Sequence, residues 1–158
     1  MSVFFGTRPD HEQKLFLFGR DALIHLIKQK LSGKTYVIAI PGFICNSITK
    51  SLECSNIKFV YYDITPDLQV NTNSLAKCLK LEKVSAVLII HYFGFLQENK
   101  EARALINKKK SVIIIDDFCH SFGNYWINQM HFENSFSSVR KYFPVNVSGV
   151  LFDDSIEK

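Results

Sequence analysis

The chain has 158 residues, of which 47% are hydrophobic and 22% charged, with a formal net charge of +4. That length supports one domain burying about 70% of its extended-chain surface, and that balance excludes a chain disordered throughout. The positive charge is mild and scattered except for Lys108, Lys109 and Lys110, a run that reads as a solvated helix end and excludes a nucleic-acid footprint.

Cys45, Cys54, Cys78 and Cys119 have no metal-ligand spacing, and the N-terminus has no signal-peptide pattern. The sequence therefore predicts a reduced, cytoplasmic protein without a metal site. The longest apolar runs, around 36 to 45 and 84 to 96, are interrupted by Pro41 and His91. They fall short of the roughly 20 residues that span a bilayer, so no transmembrane helix and no membrane partner are expected.

In chain order, Leu23, Leu26, Ile27 and Leu31 fall on one face of a helix over 21–31, with Asp21 at its positive end and Gly33 as its stop. "TYVIAIPGF" predicts a strand broken at Pro41, followed by a helix near 44–54 with Ile44, Ile48 and Leu52 in one stripe. "KFVYYDI" predicts a second strand, ending at the turn Pro66-Asp67. Asn71 and Thr72 offer caps to a short helix in "NTNSLAKCLKL". "SAVLIIHYFG" then predicts a strand leading into a helix over 97–109 that packs Ala102, Leu105 and Ile106.

The stretch "SVIIIDDFCHSFG", residues 111–123, drives a further strand straight into Asp116 and Asp117. A carboxylate at the end of an apolar strand loses hydration and needs a protein cation, backbone amides or a ligand. After Gly123 the pattern weakens. "NYWINQMHFEN" predicts a loop or irregular hairpin, "SFSSVRKYFP" begins with a short strand, and "SGVLFDD" forms another. Runs such as "AVLII" and "VIII" do not alternate with polar residues, so both sheet faces are covered: an α/β domain with a mostly parallel sheet flanked by helices.

"SGKT" at 32–35 is not a phosphate loop, because the required first glycine falls at Lys28 and the segment precedes a strand. No GxGxxG and no nucleophile elbow occur. His11, His25 and His131 read as structural histidines, and Trp126 as core or interface. What remains gathers at the C-terminal ends of predicted strands: Pro41-Gly42-Phe43, His91 to Gly94, Asp117 with His120, and Ser138 to Lys141. Gly19-Arg20-Asp21 opens the first helix, whose free N–H groups suit a phosphate. Together these features would hold one anionic aromatic cofactor.

The order "FGRDAL", "IPGFICNS", "YYDI", "IIHYFG", "IIIDDFCHSFG", "SSVRKYFPV", "SGVLF", over residues 15 to 153, resembles the large domain of the DegT/StrS-type sugar aminotransferases. These are fold-type I enzymes dependent on pyridoxal 5'-phosphate (PLP). The resemblance implies that Asp117 keeps the pyridine nitrogen protonated, so that the ring acts as an electron sink. His120 stands where the family has glutamine, near the phenolic oxygen. Lys141 matches the Schiff-base lysine that also shuttles the proton.

By the same resemblance Ser138, with Ser137 as a near substitute, binds the phosphate together with the amides of Gly19, Arg20 and Asp21, and Arg140 adds charge. Four positions after Pro41, where the family has an aromatic, stands Cys45, which leaves Phe43 or His91 to cover the ring. Asp116 reads as a capped or solvent-reaching carboxylate. The resemblance further implies one large domain over 1–158 without the family's C-terminal small domain, and a homodimer with an apolar surface around Phe43, Tyr92, Phe93 and Tyr142. The implied reaction moves an amino group to a small-molecule substrate such as a keto-sugar nucleotide, within nucleotide-sugar metabolism and polysaccharide biosynthesis. Two alternatives stay open: an inactive remnant or regulatory binding domain of that fold, and a nucleotide-binding α/β module that uses no PLP.

Overall fold

A computed structural model describes residues 14–31, 36–81, 83–123 and 132–153. It contains β1 (Lys14–Phe16), α1 (Gly19–Lys30), β2 (Val37–Pro41), α2 (Asn46–Cys54), β3 (Lys58–Tyr62), α3 (Thr72–Leu81), β4 (Val84–Ile90), α4 (Lys100–Asn107), β5 (Ile113–Asp117), β6 (Asn134–Ser138) and β7 (Gly149–Asp153). Single 3-10 turns cover Tyr92–Gly94 after β4 and Val139–Lys141 after β6.

The seven strands form one sheet in the order β1-β7-β6-β5-β4-β2-β3. Strands β2 to β6 are parallel, whereas β7 runs antiparallel to β6 and β1 antiparallel to β7. The mostly parallel sheet expected from the unbroken apolar runs is present. The chain moves outward from β2 to β3 and then crosses back over β2 to β4, so α2 and α3 cover opposite faces. That reversal leaves a crevice at the carboxyl ends of the strands, the usual ligand position in such sheets.

Strand alternation divides the core. Ile38, Ile40, Ala86, Leu88, Ile90 and Ile115 face α1 and α2, while Ala39, Val87, Ile89 and Tyr62 face α3 and α4. Tyr62 is 1% exposed, and its hydroxyl donates to the Leu88 carbonyl at 2.7 Å, so its polar end is satisfied inside the apolar layer.

Several boundaries differ from the sequence reading. Strand β4 stops at Ile90, and His91 starts the 3-10 turn. Helix α2 begins at Asn46, leaving Ile44 in the preceding loop. Helix α4 begins at Lys100 because Asn99, at φ 47°, holds the chain outside the helix while its Oδ1 accepts the Val70 N–H at 2.8 Å. Strand β1 has only three residues and a half-exposed pattern, which gives no periodic signal. Lys108, Lys109 and Lys110 are exposed beyond α4, as a solvated helix end requires. His11, residues 32–35 with Gly33, Trp126 and His131 lie outside the described residues. Among the described residues no helix is long and apolar enough to cross a membrane, and no group of three or more acidic, His or Cys side chains is placed to hold a metal.

Candidate active site

The site begins with the opening turn of α1. Phe18 precedes the helix in extended conformation, its N–H donating to Asp21 Oδ2 at 3.1 Å. Asp21 thus closes the helix start from within and does not line the cleft; its carboxylate is already committed to the backbone. Gly19 lies where a Cβ would approach Cys119 Sγ at 2.9 Å and Ser138 Cβ at 3.1 Å, so only glycine brings the helix N-terminus this close to β6. Gly149 plays the matching part on β7, since a Cβ there would meet the Phe18 carbonyl oxygen at 2.3 Å. Ser148 fastens the same corner: its N–H donates to Phe16 O at 3.0 Å and its hydroxyl to Leu17 O at 2.9 Å.

Between this turn and the loops after β2, β4, β5 and β6 lies a cleft of about 360 Å³. Gly19, Arg20, Phe43, Asp117, His120, Ser138, Arg140 and Lys141 line it together. Phe18, Cys45, Phe93 and Cys119 also line it. Arg20 lies over the Phe18 ring at 4.0 Å and Arg140 over the same ring at 5.1 Å. The aromatic face gathers two guanidinium groups beside a helix N-terminus, an arrangement that favours a bound anion.

Asp116 and Asp117 point to opposite faces of β5, and their partners differ accordingly. Asp116 is 2% exposed and faces α4, where it accepts from both guanidinium Nη atoms of Arg103. It also bonds His91 Nε2 at 3.0 Å. The expectation of a capped or solvent-reaching carboxylate is corrected: Asp116 is half of a buried ion pair. His91 Nδ1 accepts the Gln97 N–H at 3.0 Å, so Nε2 carries the hydrogen given to Asp116.

His91 is fully buried and stacks on Phe118, with ring centroids 4.1 Å apart. It does not line the cleft and is therefore not the residue that covers a ligand ring. Ser137 is also fully buried, and its hydroxyl donates to Phe118 O at 3.0 Å, so Ser138 alone of that pair faces the cleft. Tyr92, expected at the surface, is 3% exposed and donates from its hydroxyl to Phe43 O at 2.7 Å; burial raises its pKa.

Asp117 is 3% exposed and lines the cleft. Among the described residues its side chain accepts from the Cys119 N–H at 2.7 Å and from the Cys119 thiol, and forms no ion pair. Burial pushes its pKa up, against the pull of those two hydrogen bonds and of Lys141 and His120. His120 is shifted down, by burial first and then by Lys141. Its Nδ1 is buried and has no hydrogen-bond partner among the described residues. The cleft thus joins a cation-rich end, an under-compensated carboxylate, an orphaned imidazole nitrogen and a primary amine.

Cys45 is exposed at the start of α2, where a 3.1 Å hydrogen bond to Ser47 lowers its pKa most, assisted by Lys141 and Arg20. Cys119 is the reverse case: buried, with its pKa raised by desolvation and by Asp117. Sequence reasoning missed Phe18 and Arg103. The available signal for Arg103 was the need of a buried Asp116 for a cation, together with an arginine next to Ala102 on the inward stripe of α4.

Crystal structures with the same fold include a DegT DnrJ EryC1 StrS aminotransferase from Brucella abortus, with TM-score 0.75 and 18% identity over 92% of this chain and 43% of that one. The ntda protein of Bacillus subtilis, solved with bound cofactor PMP, gives TM-score 0.75 and 15% identity over 92% and 34%. A sugar aminotransferase from Micromonospora echinospora gives 0.68 and 12% over 89% and 41%. The chain therefore spans about two fifths or less of the length of these relatives. No curated protein matches the sequence. The model of the DegT/DnrJ/EryC1/StrS aminotransferase family matches residues 20–139, from the first turn of α1 to the end of β6, and the chain belongs to that family.

Proposed function

We propose that the cleft binds PLP and that the chain is the large domain of a PLP-dependent aminotransferase acting on a sugar. The observation that carries this reading is Asp117: a buried carboxylate without a cation partner among the described residues, in one cleft with Lys141 and with a cation-rich helix N-terminus. The other residues fit the same group. Ser138, Arg20, Arg140 and the amides at Gly19 would hold a phosphate. His120 Nδ1 is an unpaired polar atom suited to a phenolic oxygen.

When bound, PLP supplies an electron sink for a carbanion next to an amino group. Asp117 would hold a proton on the ring nitrogen, and its burial strengthens that charge pairing. Lys141 would hold the group through its Nζ amine, and the same amine would be the base that moves a proton at the substrate carbon. Phe43, Phe93 and His120 line the same cleft.

The substrate class proposed is a keto-sugar nucleotide with an amino-acid donor such as glutamate, in nucleotide-sugar metabolism and polysaccharide biosynthesis. We place the protein in the cytoplasm as a homodimer, with exposed Phe43, Phe93, Phe95, Tyr142 and Phe143 around the strand ends as the apolar patch for the partner. Addition of PLP to purified protein should produce a saturable visible absorption band distinct from free PLP, lost in Lys141→Ala. No band at any PLP concentration would support the nucleotide-binding alternative. A normal band without turnover of any amino donor would support a binding domain or inactive remnant.

A further inference from the structure

Phe93 occupies a backbone conformation that suits it poorly. Its φ and ψ are 52° and 31°, the left-handed region that bulky side chains rarely adopt, and Gly94 follows at φ 88°. The segment is held there from both sides. His91 N–H donates to Asp117 O at 3.0 Å, Ser121 Oγ donates to His91 O at 2.6 Å, and Phe95 N–H donates to Tyr92 O at 2.9 Å.

The fold gains little from a phenylalanine in this place. The side chain is 60% exposed, so it buries little surface, and asparagine or glycine would accept the backbone with less strain. Yet the ring lines the cleft, lies 5.7 Å from the His120 ring at an interplanar angle of 16°, and sits 6.4 Å from the Phe43 ring. Strain that persists at a cleft without serving the core points to a ligand. Cys45, which lines the same cleft, offers a small thiol and no aromatic face.

We infer that Phe93 is a ring-binding residue of this cleft: with His120 beside it, it supplies the flat aromatic contact that Cys45 does not provide. This rests on the PLP reading, because PLP is the flat ring in question. An offset aromatic contact of this kind adds to affinity beyond simple area burial.

The test uses Phe93→Asn, which tolerates the left-handed backbone but lacks the ring, and Phe93→Tyr, which keeps the ring. PLP affinity is followed by quenching of intrinsic fluorescence, with inorganic phosphate as competitor and thermal unfolding alongside. In Phe93→Asn the thermal midpoint should hold or rise, PLP affinity should fall roughly 5- to 10-fold, and phosphate affinity should not change. Phe93→Tyr should bind PLP within about twofold of the parent. If Phe93→Asn binds PLP as the parent does, or Phe93→Tyr loses as much affinity as Phe93→Asn, the ring-binding role is overturned while the PLP reading stands. If the parent chain itself does not bind PLP, the PLP reading fails and takes this inference with it.

Discussion

At the scale of single residues, the two acids at the end of β5 solve the same desolvation problem in different ways. Asp116 receives a full cation from Arg103, so its charge is neutralised inside the fold. Asp117 receives only the amide and thiol of Cys119 and stays under-compensated, and its folded pKa lies above its ordinary value. Since the folded state then binds the proton more tightly than the unfolded chain, Asp117 favours folding below its unfolded pKa of about 3.9 and loses that contribution as pH rises through its folded value.

Asp117→Asn should therefore match the parent in acid and exceed it in stability at neutral pH when PLP is absent. Its PLP affinity should fall roughly 10- to 100-fold, the worth of a charge-assisted hydrogen bond. Urea titrations at pH 3.5 and pH 7.5 check the first effect; a variant less stable than the parent at neutral pH would make Asp117 a structural acid. Removing the other acid's cation should act oppositely: Arg103→Leu leaves Asp116 buried with only its hydrogen bond to His91, at a cost of about 3 kcal/mol on unfolding.

The thiols offer a second check on the cleft. Cys45 is exposed with a lowered pKa and Cys119 is buried with a raised one, so a maleimide at pH 7 should modify Cys45 well before Cys119. Saturating PLP should slow Cys45 labelling, because the residue lines the cleft. Equal labelling with and without PLP, read by peptide mass, would place the ligand elsewhere.

At the scale of elements, the N-terminus of α1 comes close to β6 at Gly19, and this corner is the end of the cleft proposed to hold a phosphate. Gly19→Ala should cost about 1–3 kcal/mol, since the new methyl group meets Cys119 Sγ and Ser138 Cβ in a packed corner. Chemical denaturation measures it, and a neutral effect would mean that the corner yields easily.

The same elements show what was legible in the sequence. Strands β2, β4 and β5 announced themselves as unbroken apolar runs because both of their faces are buried. Strand β1 is three residues long and half exposed, so no period marks it. The placement of Asp117, His120, Ser138 and Lys141 near strand ends followed from order along the chain, and these side chains do converge on one cleft. His91 and Ser137 fall outside the cleft for a different reason. Order along the chain tells which loop a residue occupies, but a shift of one position along a strand reverses the face it serves, and a side chain already bonded to nearby backbone is lost to a ligand.

At the scale of the whole molecule, exposed aromatic side chains stand in the cleft and in the chain just after it: Phe43 at 54% and Phe93 at 60% exposure line it, and Phe95 at 68% follows the turn after β4. Such a patch favours association, and light scattering on dilute protein should give a dimer mass. A soluble monomer that binds PLP as tightly as the family reading requires would remove the homodimer from the account.

Lys141 is the residue through which this cleft is proposed to hold its cofactor. Incubation with PLP, reduction with borohydride and peptide mapping should place a single pyridoxyl group on Lys141. A pyridoxyl mark on another lysine, or none in protein saturated with PLP, would contradict it.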